Sequence, residues 1–368
     1  MRGRGNRQVK RAGRTRSAAA GARAALVLLL AALSPVAAAA TDAAPARARD
    51  ARRESPFVVR AFRPFLDGRW IGDAVCYGPY RDGQRPGGPG PSREELREDL
   101  RLMARHWSLL RTYGATGPTA TLLDLIREER LPIRVVLGAW IAPEERRGPD
   151  GRSREPLPEA RAANRRELDA AVRLAAEHPD IVLAVSVGNE TQVSWSAHRV
   201  PPALLIGYLR ETRARTRVPV ATADDFAFWT SAASRAIARE VDLILVHAHP
   251  LWNGRTLDEG LAWTRAQFEA VRASHPHRAV TLGETGWATA RLESGEQGRL
   301  MRGRAGEAEQ AAFCAGLRAW ARAESVTVFL FEAFDEKWKG GADPGDVEKH
   351  WGLFRADRTP KAALTHGD

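Results

Sequence analysis

Eight short apolar runs alternate with amphipathic stretches along this 368-residue chain. That alternation predicts an α/β fold: a (β/α)8 TIM barrel, closed by parallel strands, with its eighth helix reduced. The runs are rich in Val, Ile and Leu and several lack clean polar alternation, which suits strands covered on both faces. The longest loops, 78–91, 142–158, 288–306 and 339–349, all follow runs and so belong to the C-terminal face, where barrel active sites are built. An open doubly wound sheet would share the alternation, but no glycine-rich phosphate loop opens any of the helices.

Before the barrel come two other segments. Residues 1–40 read as an export signal: a basic stretch, the apolar run "AALVLLLAAL" at 24–33, then small residues with Ala38 and Ala40 in an A-x-A arrangement. The run is about half the ~20 residues that span a bilayer, so no membrane span is expected after cleavage. An uncleaved anchor, made by counting the flanking alanines, is the alternative. Residues 41–55, "TDAAPARARDARRES", have no apolar periodicity and read as a linker. The catalytic domain is placed at 56–368.

Within it the strands are expected at 70–77, 108–113, 133–140, 181–190, 218–224, 241–249, 279–284 and 326–335. The first helix is marked by a capping box, Ser92 with Glu95, before Leu96, Leu100 and Met103 at helical spacing. Further helices are expected at 119–129, 158–177, 201–215, 229–239, 257–273 and 307–323, and a vestigial eighth around 359–365.

The formal charge of +11 does not indicate a nucleic-acid partner. Eight positive residues and no acid fall within 1–40, and without them the rest of the chain carries only +3. Two cysteines, Cys76 and Cys314, form no disulfide framework, and both sit in apolar surroundings that suit buried free thiols.

The chemistry is carried by acids in unusual places. "AVSVGNE" ends in Glu190 and "VTLGETGW" carries Glu284, so two apolar strands each run past a glycine into a carboxylate. A carboxylate beside a packed core costs several kcal/mol unless something offsets its desolvation. At the ends of strands 4 and 7 the two would face each other across the barrel mouth. Two carboxylates about 5–5.5 Å apart suit a retaining glycosidase, one as nucleophile and one as acid, then base. Structural ion pairing with the abundant arginines is the plainer alternative.

At these residues the sequence resembles glycoside hydrolase family 17, the β-1,3-glucanases and β-1,3-glucosyltransferases. The resemblance rests on "CYGPYRDGQ.PG" at 76–87, "RTYG" at 111–114, "VGNE" at 187–190 and "HAHPLW" at 247–252. It continues through "GETGW" at 283–287, "FEAFDEKWK" at 331–339 and "HWGLF" at 350–354, in the family's order. It implies a retaining enzyme in which Glu190 is the acid/base and Glu284 the nucleophile. Asn189 would bind the sugar 2-hydroxyl, and Arg111 and Tyr113 would lie near the nucleophile, the arginine keeping Glu284 ionised. Glu336 and Lys339 match active-site positions of plant members, although Asp335 and Trp338 replace amide residues there and Ala288 replaces a common proline.

Tryptophan supports a carbohydrate site independently. Trp140, Trp195, Trp229, Trp252, Trp287 and Trp338 fall at or beyond strand C-termini, where indole faces can pack on pyranose rings. Trp107, Trp263 and Trp320 are expected in the core. Tyr77, Trp252 and Trp287 join the substrate-binding candidates. His247 and His249, two apart on a strand, share a face and raise a metal-dependent hydrolase barrel as the runner-up. The first strand lacks the histidine pair such barrels use, so His249 is read as a sugar-binding residue and neither metal nor cofactor is expected. The partner is then a β-glucan, acted on by an exported monomer, periplasmic or secreted. A glucosyltransferase using the same residues is one alternative, and a non-catalytic glucan-binding protein is the other.

Overall fold

The computed structural model describes residues 56–147 and 153–365; the expected export signal and linker lie outside the described residues. Eight parallel strands close into one barrel: β1 (Asp73–Cys76), β2 (Leu109–Arg111), β3 (Arg134–Ala139), β4 (Val182–Asn189), β5 (Val220–Asp225), β6 (Leu243–His247), β7 (Ala279–Thr285) and β8 (Val328–Leu330). Each pairs with its sequence neighbours, and β8 pairs back onto β1 through Val328 with Asp73 and Leu330 with Val75. These strands are buried on both sides: Val135, Val136, Leu137, Leu243, Ile244 and Leu245 are all fully covered. That is why their sequences do not alternate.

The helices lie where the apolar spacing puts them: α1 (Arg93–Met103), α2 (Thr119–Glu128), α3 (Pro158–Glu177), α4 (Pro202–Arg215), α5 (Ser234–Ala238), α6 (Leu257–Ser274), α7 (Glu307–Glu324) and α8 (Ala362–Thr365). The Ser92–Glu95 capping box forms, with Ser92 Oγ accepting the Glu95 N–H at 3.1 Å and Glu95 accepting the Ser92 N–H at 2.7 Å. Two expectations need correction. The single helix at 229–239 is a one-turn helix, Phe226–Trp229, followed by α5, because Asp225 caps the first turn and the chain bends at 230–233. The 142–158 loop holds a two-stranded antiparallel hairpin, Glu145–Arg147 with Arg154–Pro156.

The segment before β1 covers the N-terminal end of the barrel. The Arg60 N–H donates to Asp242 (2.7 Å) and its guanidinium to the carbonyls of Val218 and Arg213 (2.9 and 3.0 Å). The accessible cleft lies at the opposite end, at the C-terminal ends of the strands. Cys76 and Cys314 are free and buried.

Candidate active site

Both glutamates sit at irregularities in the strand ladder. Between β4 and β5 the register runs Ser186–Ala221 and then Asn189–Ala223, one residue longer on β4. Between β6 and β7 it runs Val246–Leu282 and then His247–Glu284, with Gly283 as the extra residue. Such bulges re-aim the residue that follows. The glycines are needed there. Gly188 has φ +78°, and a Cβ on Gly283 would come within 2.8 Å of the Leu245 Cβ. Glu190 itself is left-handed at φ +49°, held by its N–H donating to the Ala223 carbonyl at 2.9 Å. A non-glycine residue in that region costs about 1–2 kcal/mol, a cost the surrounding structure has to offset.

The result is a close pair. Carboxylate oxygens of Glu190 and Glu284 lie within 4.8 Å, with a ring nitrogen of His247 inside the same span. Glu284 is almost fully buried and ringed by donors. Arg111 Nη1 donates to Oε1 at 2.7 Å and Tyr113 Oη to the same oxygen at 3.0 Å, while His249 Nε2 stands 3.4 Å from Oε2. Burial alone would raise the Glu284 carboxyl, but His247, Arg111 and His249 gathered around it hold it well below the usual carboxylate range. In turn Glu284 raises His249 against its own burial. Burial, with the charges of Cys76 and Glu284, keeps the Tyr113 phenol far above its ordinary range, so it remains a neutral donor.

Glu190 is less enclosed, its side chain 30% exposed, and it meets His247 Nδ1 at 3.0 Å. Arg111 links the two halves of the site: its Nη2 donates to Asn189 Oδ1 at 2.6 Å, leaving the Asn189 amide NH2 as the group it can offer a sugar hydroxyl. The cluster of Glu190, His247 and Glu284 has enough donors for a cation. The guanidinium 2.7 Å from Glu284 already supplies the positive charge that a metal would bring.

Next to this pair, the end of β8 carries a second buried group. Lys339 Nζ lies 2.5 Å from Glu332 and 2.9 Å from Glu336, over the rings of Phe331 and Trp338. Two carboxylates share one ammonium there, and burial together with Glu336 pushes Glu332 well above the carboxylate range. Glu348, half-buried, accepts the Trp252 indole N–H at 3.0 Å, and burial raises its carboxyl. A cleft of about 1510 Å³ runs across the mouth between Tyr80, Gly87 and Trp338 on one side and Trp140, Trp195 and His198 on another.

The structure brings most of the residues singled out in the sequence together: Asn189, Tyr113, His249, Trp252, Glu336 and Lys339 all line this cleft with the two glutamates. Arg111 does not line it but acts through Glu284 and Asn189. Three assignments change. Trp287 is fully buried, its indole N–H donating to the Arg304 carbonyl at 2.9 Å and its ring packed on Phe313, so it is core rather than substrate-binding. Trp229 is likewise buried, bonded to the Leu245 carbonyl. Tyr77 reaches the cleft, but its hydroxyl is committed to Asp99 at 3.0 Å, which suits a wall rather than a sugar hydrogen bond. Three residues were missed as site members, Glu332, Glu348 and Trp351, and His247 was named only as a possible metal ligand. Glu332 and Trp351 lay inside quoted motifs, as His247 did; Glu348 had no signal beyond proximity to "HWGLF".

The BtgE/BtgC glycoside hydrolase domain family matches residues 74–352, which covers every barrel strand except the first residue of β1 and all of the site. The chain belongs to that family. This BtgE/BtgC domain is 27% identical over 295 residues to a glucan 1,3-beta-glucosidase of Arthroderma benhamiae, covering 76% of this chain and 86% of that protein. The crystal structure of an endo-laminarinase from Formosa Hel1_33_131 superposes with a TM-score of 0.67 at 27% identity, over 80% of this chain and 86% of that one. A family 17 beta-1,3-glucanosyltransferase from Rhizomucor miehei shares the fold at TM-score 0.61 and 21% identity, over 79% and 95% of the two chains. The (β/α)8 barrel and the family 17 resemblance are therefore both borne out.

Proposed function

We propose that this domain cleaves β-1,3-linked glucan with retention, by double displacement on Glu190 and Glu284. The observation that carries the reading is the pair itself: carboxylate oxygens within 4.8 Å, one carboxylate ringed by cationic and phenolic donors and the other half-open to the cleft. That spacing leaves no room for the water an inverting enzyme places between its acids. Glu284 attacks the anomeric carbon as an anion, Glu190 protonates the departing oxygen, and Glu190 as base then activates the water that releases the sugar. The two carboxylates and their donors supply the whole of this chemistry, so neither metal nor cofactor is needed. The relatives' names, glucan 1,3-beta-glucosidase and endo-laminarinase, support the linkage.

The cleft passes between loops on both sides of the pair and carries indoles along its length, which favours internal cutting. Trp195, 64% exposed beyond the acid/base, offers an acceptor sugar a stacking face, and this favours transfer as a second activity of the same site. The N-terminal 40 residues support export to the periplasm or beyond, and the near-balanced charge of the remainder argues against nucleic acid as a partner.

The test uses the chain from Thr41 onward with β-1,3-gluco-oligosaccharides of defined length, followed by mass spectrometry. Shorter products are expected, with mid-chain cuts, and longer ones if transfer competes. No change in a folded sample overturns the catalytic reading and leaves a glucan-binding protein.

A further inference from the structure

Two consecutive acids, Asp224 and Asp225, end β5, and the fold uses them differently. Asp224 is wholly committed to backbone: its Oδ2 accepts the Gln192 N–H at 2.8 Å and its Oδ1 the Asp225 N–H at 2.9 Å. Asp225 is committed by half. Its Oδ1 accepts the Ala227 N–H at 2.8 Å and so caps the turn Phe226–Trp229, while among the described residues Oδ2 has no hydrogen-bond partner. The residue is 8% exposed, and what it exposes lines the cleft together with Glu190. A carboxylate held this way offers a ligand one free acceptor on a rigid strand end.

We infer that Asp225 binds a hydroxyl of the leaving sugar, and so helps set which leaving groups, and in transfer which acceptors, the site takes. This rests on the two-glutamate reading above, with Glu190 as the proton donor. The order of the strands supplies the direction. Glu190, just past β4, meets His247 Nδ1 on β6 at 3.0 Å, so its carboxylate leans across the end of β5, which lies between them. Asp225 is the β5 residue in register with His247. The groups that hold the nucleophile and offer an amide to the sugar under attack, Arg111, Tyr113 and Asn189, stand toward β2, on the other side of Glu190. The sugar under attack is held on that side, so the oxygen that Glu190 protonates departs over β5 and β6. Phe226, next to Asp225, and Trp252, beyond β6, line the cleft there.

The chemistry of the linkage fits this placement. In a β-1,3 bond the leaving sugar is joined through O3, so its free hydroxyls on C2 and C4 flank the departing oxygen on neighbouring carbons. A carboxylate beside the acid/base can accept from one of them. Burial raises the Asp225 carboxyl to about 6, against the pull of the Ala227 N–H and His247, and above that value it is an anion that only accepts.

Two substitutions separate this role from capping. Asp225→Ser keeps an oxygen for the Ala227 N–H and removes the second one. Asp225→Asn keeps the shape and turns the second oxygen into a donor. Each is compared with the parent, in mildly alkaline buffer, on a β-1,3-gluco-oligosaccharide, whose leaving group is a sugar, and on β-laminaribiosyl fluoride, whose leaving group has no hydroxyl. The ratio of the two kcat/KM values, oligosaccharide over fluoride, is expected to fall about 10- to 100-fold in D225S, the scale of a hydrogen bond to a charged group, and by less in D225N. A ratio like the parent's in D225S overturns the assignment, because a residue that only caps a turn or supports the fold acts on both substrates alike. If D225S does not melt cooperatively, D225N decides: a lowered ratio supports the assignment and an unchanged one overturns it. Glu284→Gln is run alongside. If E284Q keeps turnover, the two-glutamate reading itself is wrong; if E284Q is inactive while the D225S ratio matches the parent's, only the role of Asp225 is wrong.

Discussion

The ends of β7 and β8 each bury a carboxylate on the same rim, and the two end in opposite states. Glu284 on β7 has one carboxylate's charge and several donors; Glu332 beyond β8 shares a single ammonium with Glu336. Both are desolvated to a similar extent, so burial does not separate them. The count of positive groups does. Where donors exceed carboxylates the acid is held as an anion fit to attack carbon, and where carboxylates exceed cations one of them keeps its proton. The first arrangement suits a nucleophile and the second a fixed wall of the cleft.

The largest expected effect tests that division directly. Glu284→Gln or Glu190→Gln should lower kcat by about 10³-fold or more with the fold intact, whereas Glu332→Gln should stay within about tenfold, since its acid is already neutral. Comparable losses in E284Q and E332Q would end the comparison.

Stability should split the same way. Arg111→Met leaves Glu284 buried without its closest cation and should cost about 3–5 kcal/mol, read from denaturant midpoints. Lys339→Met is expected to cost less, because Glu332 does not depend on the ammonium for charge and Glu336 keeps the Trp338 indole N–H at 3.0 Å and the Tyr80 N–H at 3.3 Å. Equal costs would mean that Glu332 is ionised as well.

The pH dependence carries opposite signs. Glu284 has a folded value below its ordinary 4.5, so above that pH it adds stability, which is lost as pH falls below 4.5. Glu332 has a folded value above 4.5, so the folded state binds more protons than the unfolded one and stability declines as pH rises past 4.5. In midpoints measured from acid to neutral pH, E284Q should flatten the acid limb and E332Q the neutral one. The smallest effect lies outside both clusters. Trp195→Ala should raise KM a few-fold, in line with about 0.5–1.5 kcal/mol for an aromatic contact, and leave the melting temperature unchanged.

Much of this molecule was legible in its residues. Apolar runs bounded by loops located all eight strands, because strands buried on both faces must be apolar throughout. The Ser92–Glu95 pair located a helix start to the residue, because capping is a local hydrogen-bond exchange. Glu190 and Glu284 stood out because a carboxylate rarely ends a buried strand. The indoles were less legible: Trp195 and Trp287 both follow strands, yet one is 64% exposed and the other fully buried, a difference set by the loop 288–306 and α7 folding back over Trp287.

The sequence by itself thus determined the barrel, the order of its strands and which two acids stand at its mouth, since periodicity, capping and the cost of buried charge act over short stretches. Only the closed barrel decided what each acid does. Arg111 reaches Glu284 across 173 residues, and His247 reaches Glu190 across 57. Ladder bulges at Gly188 and Gly283 turn those side chains toward one another. The proton states of Glu284 and Glu332 follow from which charges closure brings within hydrogen-bond range, a distance that no local pattern encodes.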